Sequence, residues 1–401
     1  MPELVIDAAV RRAMDLVQRR YAEALTLDEL ARCAGLSRTV LAQRFDTAVG
    51  LSPMRYCVDW RLRVAAGMLE RGGHTAGEIA YTVGFGSEAA FNRAFRRRYG
   101  EPPARWRRQR AAEAVRPLPE QRVLHCTAPD GTRLAWSRVG HGFPIVKAAN
   151  WLNHLEFDWH SPVWRHWLLE LTRHNELIRY DERGNGLSDW EASDLSFEAM
   201  VDDFGAVVEA SGVGRFDLLG LSQGVSVAIA WSLRHPGRVR RMVLLGGYAQ
   251  GWAVRCRGEE LARREAMTTL SRTGWGTDTP AFRQMFSNLY IPGGSAEQLA
   301  WWTELQRVST SPANAERLQR ALSTIDVQLL LERVTVPTLV AHARRDQVVP
   351  FACGEQLAAA IPGSRFVALD SENHVLLEGE PAWDDFLAAA RRFLQPAPEA
   401  G

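Results

Sequence analysis

Hydrophobic and polar positions along this chain change their period near residue 110. Before that point apolar residues recur every three to four positions, as in "LDELARCAG" and "EAAFNRAFRRRYG", a helical spacing with almost no strand-like alternation. From about residue 122 onward short apolar runs appear instead: "RVLHCTA", "RLAWSRVG", "PIVKAANW", "ELIRYD", "RFDLLGLS", "RVRRMVLLGGY", "PTLVAHAR" and "SRFVALD". Most of the later runs alternate with amphipathic stretches, at Pro162–Thr172, Phe197–Ser211 and Ala382–Leu394. Continuous apolar strands separated by helices predict a mostly parallel, doubly wound sheet covered on both faces. Between Gly251 and Arg333 the strand pattern lapses into helical segments rich in Trp, Leu and Arg, which predicts a helical cap over the strand ends. The stretch from Gln109 to Gln121 loses periodicity and carries Pro117 and Pro119. The domains expected are therefore an all-α region at 1–110, a linker at 111–121, and an α/β region at 122–396 with its cap at about 251–333.

At 401 residues, two domains are expected on length alone, and 46% hydrophobic with 24% charged residues is an ordinary globular composition. Charge sharpens the division. Residues 1–110 hold 19 arginines against 12 acids, whereas the remainder holds 29 basic residues against 35 acids. Such asymmetry points to a nucleic-acid-binding end attached to something else. No run reaches the ~18 apolar residues of a membrane helix, and the first residues carry acids without an apolar signal core, so a cytoplasmic protein without a membrane partner is expected. The five cysteines are scattered and lack metal-ligand spacing; they read as reduced core residues, and neither a metal nor another cofactor is expected.

The helical region contains two units of one design. Thr26 and Glu29 have the spacing of a capping box, Gly35 supplies a tight turn, and Ser37 caps "RTVLAQRFDTAV". Thr75 and Glu78 repeat the box, Gly84 the turn and Ser87 the cap, with "PMRYCVDWRLRVAAGMLERG" as connector. This is a tandem helix–turn–helix, able to set two reader helices in successive major-groove segments of double-stranded DNA. The solvent-side positions Arg38, Thr39 and Gln43 in the first reader, and Glu88, Asn92 and Arg93 in the second, are candidate base contacts. Arg96, Arg97, Arg98, Arg105 and Arg108 are candidate phosphate contacts. Each has the alternative of a solvated helix face, and Arg93, between the core positions Phe91 and Phe95, the further alternative of a structural role.

Ile79, Ala80, Val83, Gly84, Phe85, Ser87, Phe91, Arg93, Phe95, Gly100, Pro103, Trp106 and Arg107 together resemble the signature of the AraC/XylS family. Gly50, Ser52, Pro53, Tyr56, Trp60, Arg61, Leu62 and Ala65 extend the likeness through the first unit. The resemblance covers about residues 5–110 and implies an operator DNA as partner; a homodimer is left open.

In the second region "GLSQG", residues 220–224, follows the run "FDLLG" and opens "VSVAIAWSLRHP", the strand–turn–helix setting that a nucleophilic serine requires. Asp346 follows a later strand and His374 the last one, giving the order Ser222, Asp346, His374. "RYDERGNGLSDW" adds a structural loop with Asp181, Arg183, Gly184, Gly186 and Ser188. Together these resemble the α/β-hydrolase fold over about residues 122–396. The resemblance implies acyl transfer, with Ser222 as nucleophile, His374 as base and Asp346 as its orienting partner. It also implies oxyanion donors at the backbone of Gln223 and of Trp151. A serine nucleophile argues against the branches that use aspartate, such as haloalkane dehalogenases and epoxide hydrolases. The sequence departs from many relatives where Ala149 and Asn150 replace His-Gly, and Trp151 is open to a second reading as a pocket wall. Three roles stay open for this region: a receptor for a small ester-like or apolar ligand that governs DNA binding, a working esterase or lactonase with an accessory DNA-binding region, or an assembly surface for a dimer.

Overall fold

The computed structural model describes residues 8–49, 51–108, 119–275 and 280–395. They form two compact units that divide near Pro117. Gly50 and most of the expected linker, 111–118, lie outside the described residues.

The first unit is all helical: α1 Ala8–Arg20, α2 Leu27–Ala34, α3 Arg38–Val49, α4 Pro53–Arg71, α5 Ala76–Thr82 and α6 Glu88–Tyr99. Both capping boxes form, with the Thr26 and Thr75 hydroxyls accepting from the Glu29 and Glu78 amides while the glutamates reach back. Ser37 and Ser87 cap α3 and α6, accepting from Val40 and Ala90. Each helix–turn–helix has its own core. Leu30, Leu41, Phe45 and Tyr56 pack with Val10 and Val17 of α1. Ile79, Val83, Phe91, Phe95 and Trp106 pack with Leu62, Ala65 and Leu69. The connector α4 thus serves both cores, one with each half of its length.

The junction between these cores is specific. The Arg61 guanidinium donates to three backbone carbonyls, those of Tyr21 (2.6 Å), Glu23 (2.6 Å) and Gly84 (2.8 Å). Gly84 has φ +86°, and a Cβ there would stand 2.4 Å from the Ala22 carbonyl oxygen. Within the helical unit, the turn of the second helix–turn–helix therefore seats directly on the α1–α2 loop, which only glycine permits.

The second unit is built on one eight-stranded sheet: β1 Arg122–Thr127, β2 Arg133–Gly140, β3 Phe143–Lys147, β4 Asn175–Tyr180, β5 Phe216–Leu221, β6 Val239–Leu245, β7 Thr338–Ala343 and β8 Arg365–Leu369. The order is β1-β2-β4-β3-β5-β6-β7-β8, antiparallel through β1-β2-β4 and parallel from there on. Both faces are covered, so β5 and β7 are buried along their whole length. One face carries α9 Phe197–Ser211, α10 Gly224–Arg234 and α16 Phe351–Ala360, around Phe204, Val225 and Leu357. The other carries α8 Arg165–Leu171 and α17 Pro381–Leu394, around Trp167, Trp383 and Phe386.

Two expected elements shift. The helix expected at Pro162–Thr172 spans only Arg165–Leu171, because the Ser161 hydroxyl accepts from the Val163 and Trp164 amides and holds the preceding turn out of helix; a further helix, α7 Leu155–Trp159, precedes it. The strand expected through "PIVKAANW" stops at Lys147. Among the described residues of 251–333 the cap has five helices, α11 Trp252–Arg255, α12 Gly258–Gly274, α13 Pro280–Tyr290, α14 Ala296–Ser309 and α15 Pro312–Ser323, with a closing 3-10 turn at Gln328–Arg333. No described helix is long and apolar enough to cross a membrane. The cysteines are free, but only Cys57 and Cys353 are buried; Cys33 is exposed and Cys126 and Cys256 half-buried, a correction to their reading as core residues.

Candidate functional site

Ser222 sits between the end of β5 and the start of α10 with φ +54°, the one non-glycine residue with positive φ among those described. Two glycines make that turn possible. A Cβ on Gly220 would lie 2.9 Å from the Gly224 carbonyl oxygen and the Val225 Cα, and one on Gly224 would lie 2.7 Å from the Ala149 carbonyl oxygen. Strand and helix can therefore fold back on each other with the serine held in a strained conformation at the tip, a placement that surrounding structure must enforce. The Ser222 amide is anchored to the Leu245 carbonyl on β6 (3.0 Å).

Asp346 lies three residues beyond β7, and its Oδ1 accepts from the Val348 (2.8 Å) and Val349 (2.9 Å) amides. Its Oδ2 accepts from Nδ1 of His374 at 2.6 Å. Burial alone would raise this carboxyl, but His374, followed by His342 and the Val349 amide, holds it below the ordinary aspartate range. His342 is a neighbour the sequence reading missed. It is fully buried, its Nε2 lies 3.6 Å from the same Oδ2 and donates to the Val349 carbonyl, and burial lowers its pKa. With Nδ1–H committed to Asp346, the remaining nitrogen of His374 is the basic one; this Nε2 is buried and has no hydrogen-bond partner among the described residues. Gly246 borders the pair, with room for a Cβ only 3.3 Å from the imidazole.

The cap reaches this pair directly. The His374 amide donates to the Tyr290 carbonyl of α13 (2.8 Å), and the two rings meet edge to face at 5.6 Å. Under the cap is a cavity of about 220 Å³ whose walls include Ser222, Gln223, Trp151, Phe286, Leu289 and Tyr290. The Trp151 side chain is buried, stacked on Trp275 at 5.1 Å, so its indole is a pocket wall as its second reading has it. Gln223, at the N-terminal cap of α10, donates its side-chain amide to Glu182 at 3.3 Å.

Behind Gln223 lies a buried charged cluster of which the sequence singled out Asp181 and Arg183 but not Glu182 or Lys147. Glu182 is pushed up to about 7 by burial, against the hydrogen bond from Gln223. Asp181 is pushed up to about 7 by burial although the Leu187 and Leu155 amides oppose it. Burial brings Lys147, hydrogen-bonded to Asn150, down to about 8. The loop "DERGNG" is built around Asp181: a Cβ on Gly186 would fall 2.2 Å from its Oδ2. Arg183 is locked by the buried Asp203 and by Asp130.

In the helical unit Thr39, Gln43, Glu88, Arg93, Arg96 and Arg97 are exposed, while Asn92 is half-buried. Arg38 is exposed but pairs with Asp28 of α2 at 3.2 Å. Arg98 is not a free cation of the reader helix, since it pairs with Asp59 of α4 at 2.6 Å. Among the described residues no group of three or more His, Cys, Asp or Glu is placed to hold a metal ion.

Fold and site together define a class: an α/β protein that raises a serine on a strand–turn–helix at the carboxyl edge of a parallel sheet. The model of the alpha/beta hydrolase fold matches residues 141–381, and the chain belongs to that family. A helix-turn-helix domain model matches residues 30–109. A "Putative AraC-like transcription regulator" of Streptomyces lividans is 40% identical over 102 residues, 25% of this chain and 34% of the relative. The chain thus spans about a third of that relative's length. The "AB hydrolase superfamily protein YisY" of Bacillus subtilis is 27% identical over 241 residues, 59% of this chain and 86% of the relative. Among solved structures, an esterase from a Rhodococcus species aligns with a TM-score of 0.54 at 26% identity, covering 68% of this chain and 98% of that one. The chain joins an AraC-type helix–turn–helix region to a hydrolase-fold domain, the make-up of a regulator with a hydrolase-fold domain.

Proposed function

We propose that this chain is a sequence-specific DNA-binding transcription regulator whose hydrolase-fold domain binds a small ester-like ligand and can cleave it at Ser222. The observation that carries the second half is the conjunction at one cavity wall of a serine with φ +54° and, beneath the same cap, a His374–Asp346 pair at 2.6 Å. In this reading the Ser222 hydroxyl adds to the ligand carbonyl as His374 Nε2 takes its proton. Asp346 holds the imidazole tautomer and stabilises its cation. The amides of Gln223 and Trp151 donate to the oxyanion, a role that needs no side chain and so survives the replacement of His-Gly by Ala149 and Asn150. The imidazolium returns its proton to the leaving group, and water releases the acyl group by the same route in reverse. The related Rhodococcus protein is an esterase, which supports this reaction class.

Ligand occupancy is the signal in this reading, because a ligand shifts a DNA-binding equilibrium only through its differential affinity for two conformations. The test combines a fluorophosphonate, which labels an activated serine whatever its natural substrate, with operator selection from random duplexes. Labelling at Ser222 and recovery of one DNA motif are expected. Ser222→Ala is expected to lose the label and keep a ligand-dependent operator response. An unlabelled wild-type chain refutes the acyl chemistry, selection that recovers no motif refutes the DNA reading, and a mutant that binds both partners without coupling them refutes occupancy as the signal.

A further inference from the structure

The cavity above Ser222 is not uniformly apolar. Beside the apolar Trp151, Met267, Phe286 and Leu289, the described residues of its wall include three guanidinium groups, Arg255, Arg263 and Arg264, and a single carboxylate, Glu260. Glu260 is spent twice, on Nε of Arg264 at 2.9 Å and on Arg263 at 3.1 Å. Arg263 is largely in solvent, with 67% of its side chain exposed, while Arg264 is 19% exposed and also donates to the Val348 carbonyl. Arg255 is half-buried and forms no ion pair with an acid among the described residues: it donates to the Gln250 carbonyl at 2.7 Å and lies 5.6 Å from the centre of the Tyr248 ring. Three positive charges against one negative leave the wall with an excess of two.

A comparison within the same unit shows a smaller excess elsewhere. A second cavity, of about 680 Å³, lies between the sheet and α17, lined by Phe143, Trp167, Trp383 and Phe386. Its three arginines share two acids in the same wall: Arg240 pairs with Asp217, and Glu170 with both Arg391 and Arg173. In the cavity that contains the serine, the planar fork of Arg255 forms no ion pair with a carboxylate among the described residues, although Glu260 is near enough to feel its charge. That fork is the shape that recognises a carboxylate or phosphate in two parallel hydrogen bonds, and it does so most strongly where water is scarce.

We propose that the ligand of this cavity is a short carboxylic ester with a second, free carboxylate on its acyl arm, held by Arg255 with Arg264 beside it while the ester carbonyl lies at Ser222. The proposal rests on the reading of Ser222 as nucleophile for its orientation, though not for the anion site itself. In the reaction the ester C–O bond breaks, the alcohol leaves with the proton carried by His374, and water then frees a dicarboxylate. No oxidant or further reactant is needed.

The test uses the full chain and two 4-nitrophenyl esters of matched length, the hemiglutarate, which carries the carboxylate, and the pentanoate, which does not. The expected ratio of their kcat/KM values is about 10 to 100 in favour of the hemiglutarate, the range of one charge-assisted contact. It should fall with added salt and collapse toward one in Arg255→Gln, with partial recovery in Arg255→Lys. Because the ratio is taken within one preparation, partial misfolding does not imitate this result. A pentanoate hydrolysed as well as the hemiglutarate, with the ratio indifferent to Arg255, overturns the anion site and leaves the hydrolase reading standing. If neither ester is cleaved, glutarate itself is titrated while tryptophan emission is followed. Quenching that is lost in Arg255→Gln keeps the anion site and sinks only the catalysis; no quenching sinks the anion site.

Discussion

The two units hold their chemistry in opposite ways. In the helical unit the candidate readers Gln43, Arg93, Arg96 and Arg97 stand in solvent on helices whose geometry is set by caps a few residues away, at Thr26, Ser37, Thr75 and Ser87. In the α/β unit Ser222, Asp346 and His374 are buried and fixed by partners far along the chain, such as Leu245 for the serine amide and Tyr290 for the histidine amide. A surface that meets a large charged partner is completed by that partner. A site that does chemistry must be assembled before the ligand arrives. The contrast predicts that the first unit tolerates change residue by residue, whereas the second fails as a set.

The largest expected break is His374→Ala. Fluorophosphonate labelling and ester hydrolysis should fall by about 10³-fold or more, since members of such a set are lost together. Labelling that stays at the wild-type rate would show that Ser222 has another base. Next comes salt. DNA affinity of the full chain, measured by fluorescence anisotropy, should drop by about 10³-fold or more between 50 and 200 mM salt if six or more phosphates are contacted. Arg97→Ala should lower the slope of that dependence and weaken all sequences alike; a slope unchanged in the mutant would remove Arg97 from the phosphate set.

A smaller effect sharpens the comparison through buried charge. Glu182 titrates near 7 in the folded chain because it is buried, against about 4.5 when unfolded. The folded state therefore binds a proton that the unfolded state releases between those values. Its stability must fall as pH rises through that window and stay lower above it. Glu182→Gln removes the penalty. Chemical denaturation at pH 8 should show a gain of up to about 3 kcal/mol that shrinks toward zero at pH 4.5; an equal effect at both pH values would mean that the carboxyl does not titrate as its burial dictates. The smallest expected change is Thr75→Ala, at about 1 kcal/mol. It should appear as lowered thermal stability of the helical unit with labelling at Ser222 intact, and loss of labelling would show that the two units do not fail independently.

How much of this was visible in the sequence follows from the same contrast. Capping boxes, turn glycines and the strand–turn–helix serine are local patterns, and each appears where its spacing put it. Asp346 and His374 could be named because their places after β7 and β8 carry a resemblance, although nothing local in "RRDQVV" or "SENHV" reveals that the two meet at 2.6 Å. His342, the Lys147 and Glu182 that join Asp181, and the arginines around Glu260 went unseen, because single charged residues in apolar stretches look alike until folding gathers them. Arg98 was misplaced for the opposite reason. It belongs to an exposed-looking basic run, yet Asp59, 39 positions earlier, claims it.

The contact of Gly84 with Ala22, braced by Arg61, gives the helical unit a property beyond recognition. If both heads read DNA, a junction packed this closely would make them a caliper of fixed opening. Each base pair inserted between two half-sites turns one of them by about 35° around the duplex axis, and a caliper cannot follow that turn. Spacing then becomes part of the address: two correct words set one letter too far apart are, to such a molecule, no word at all.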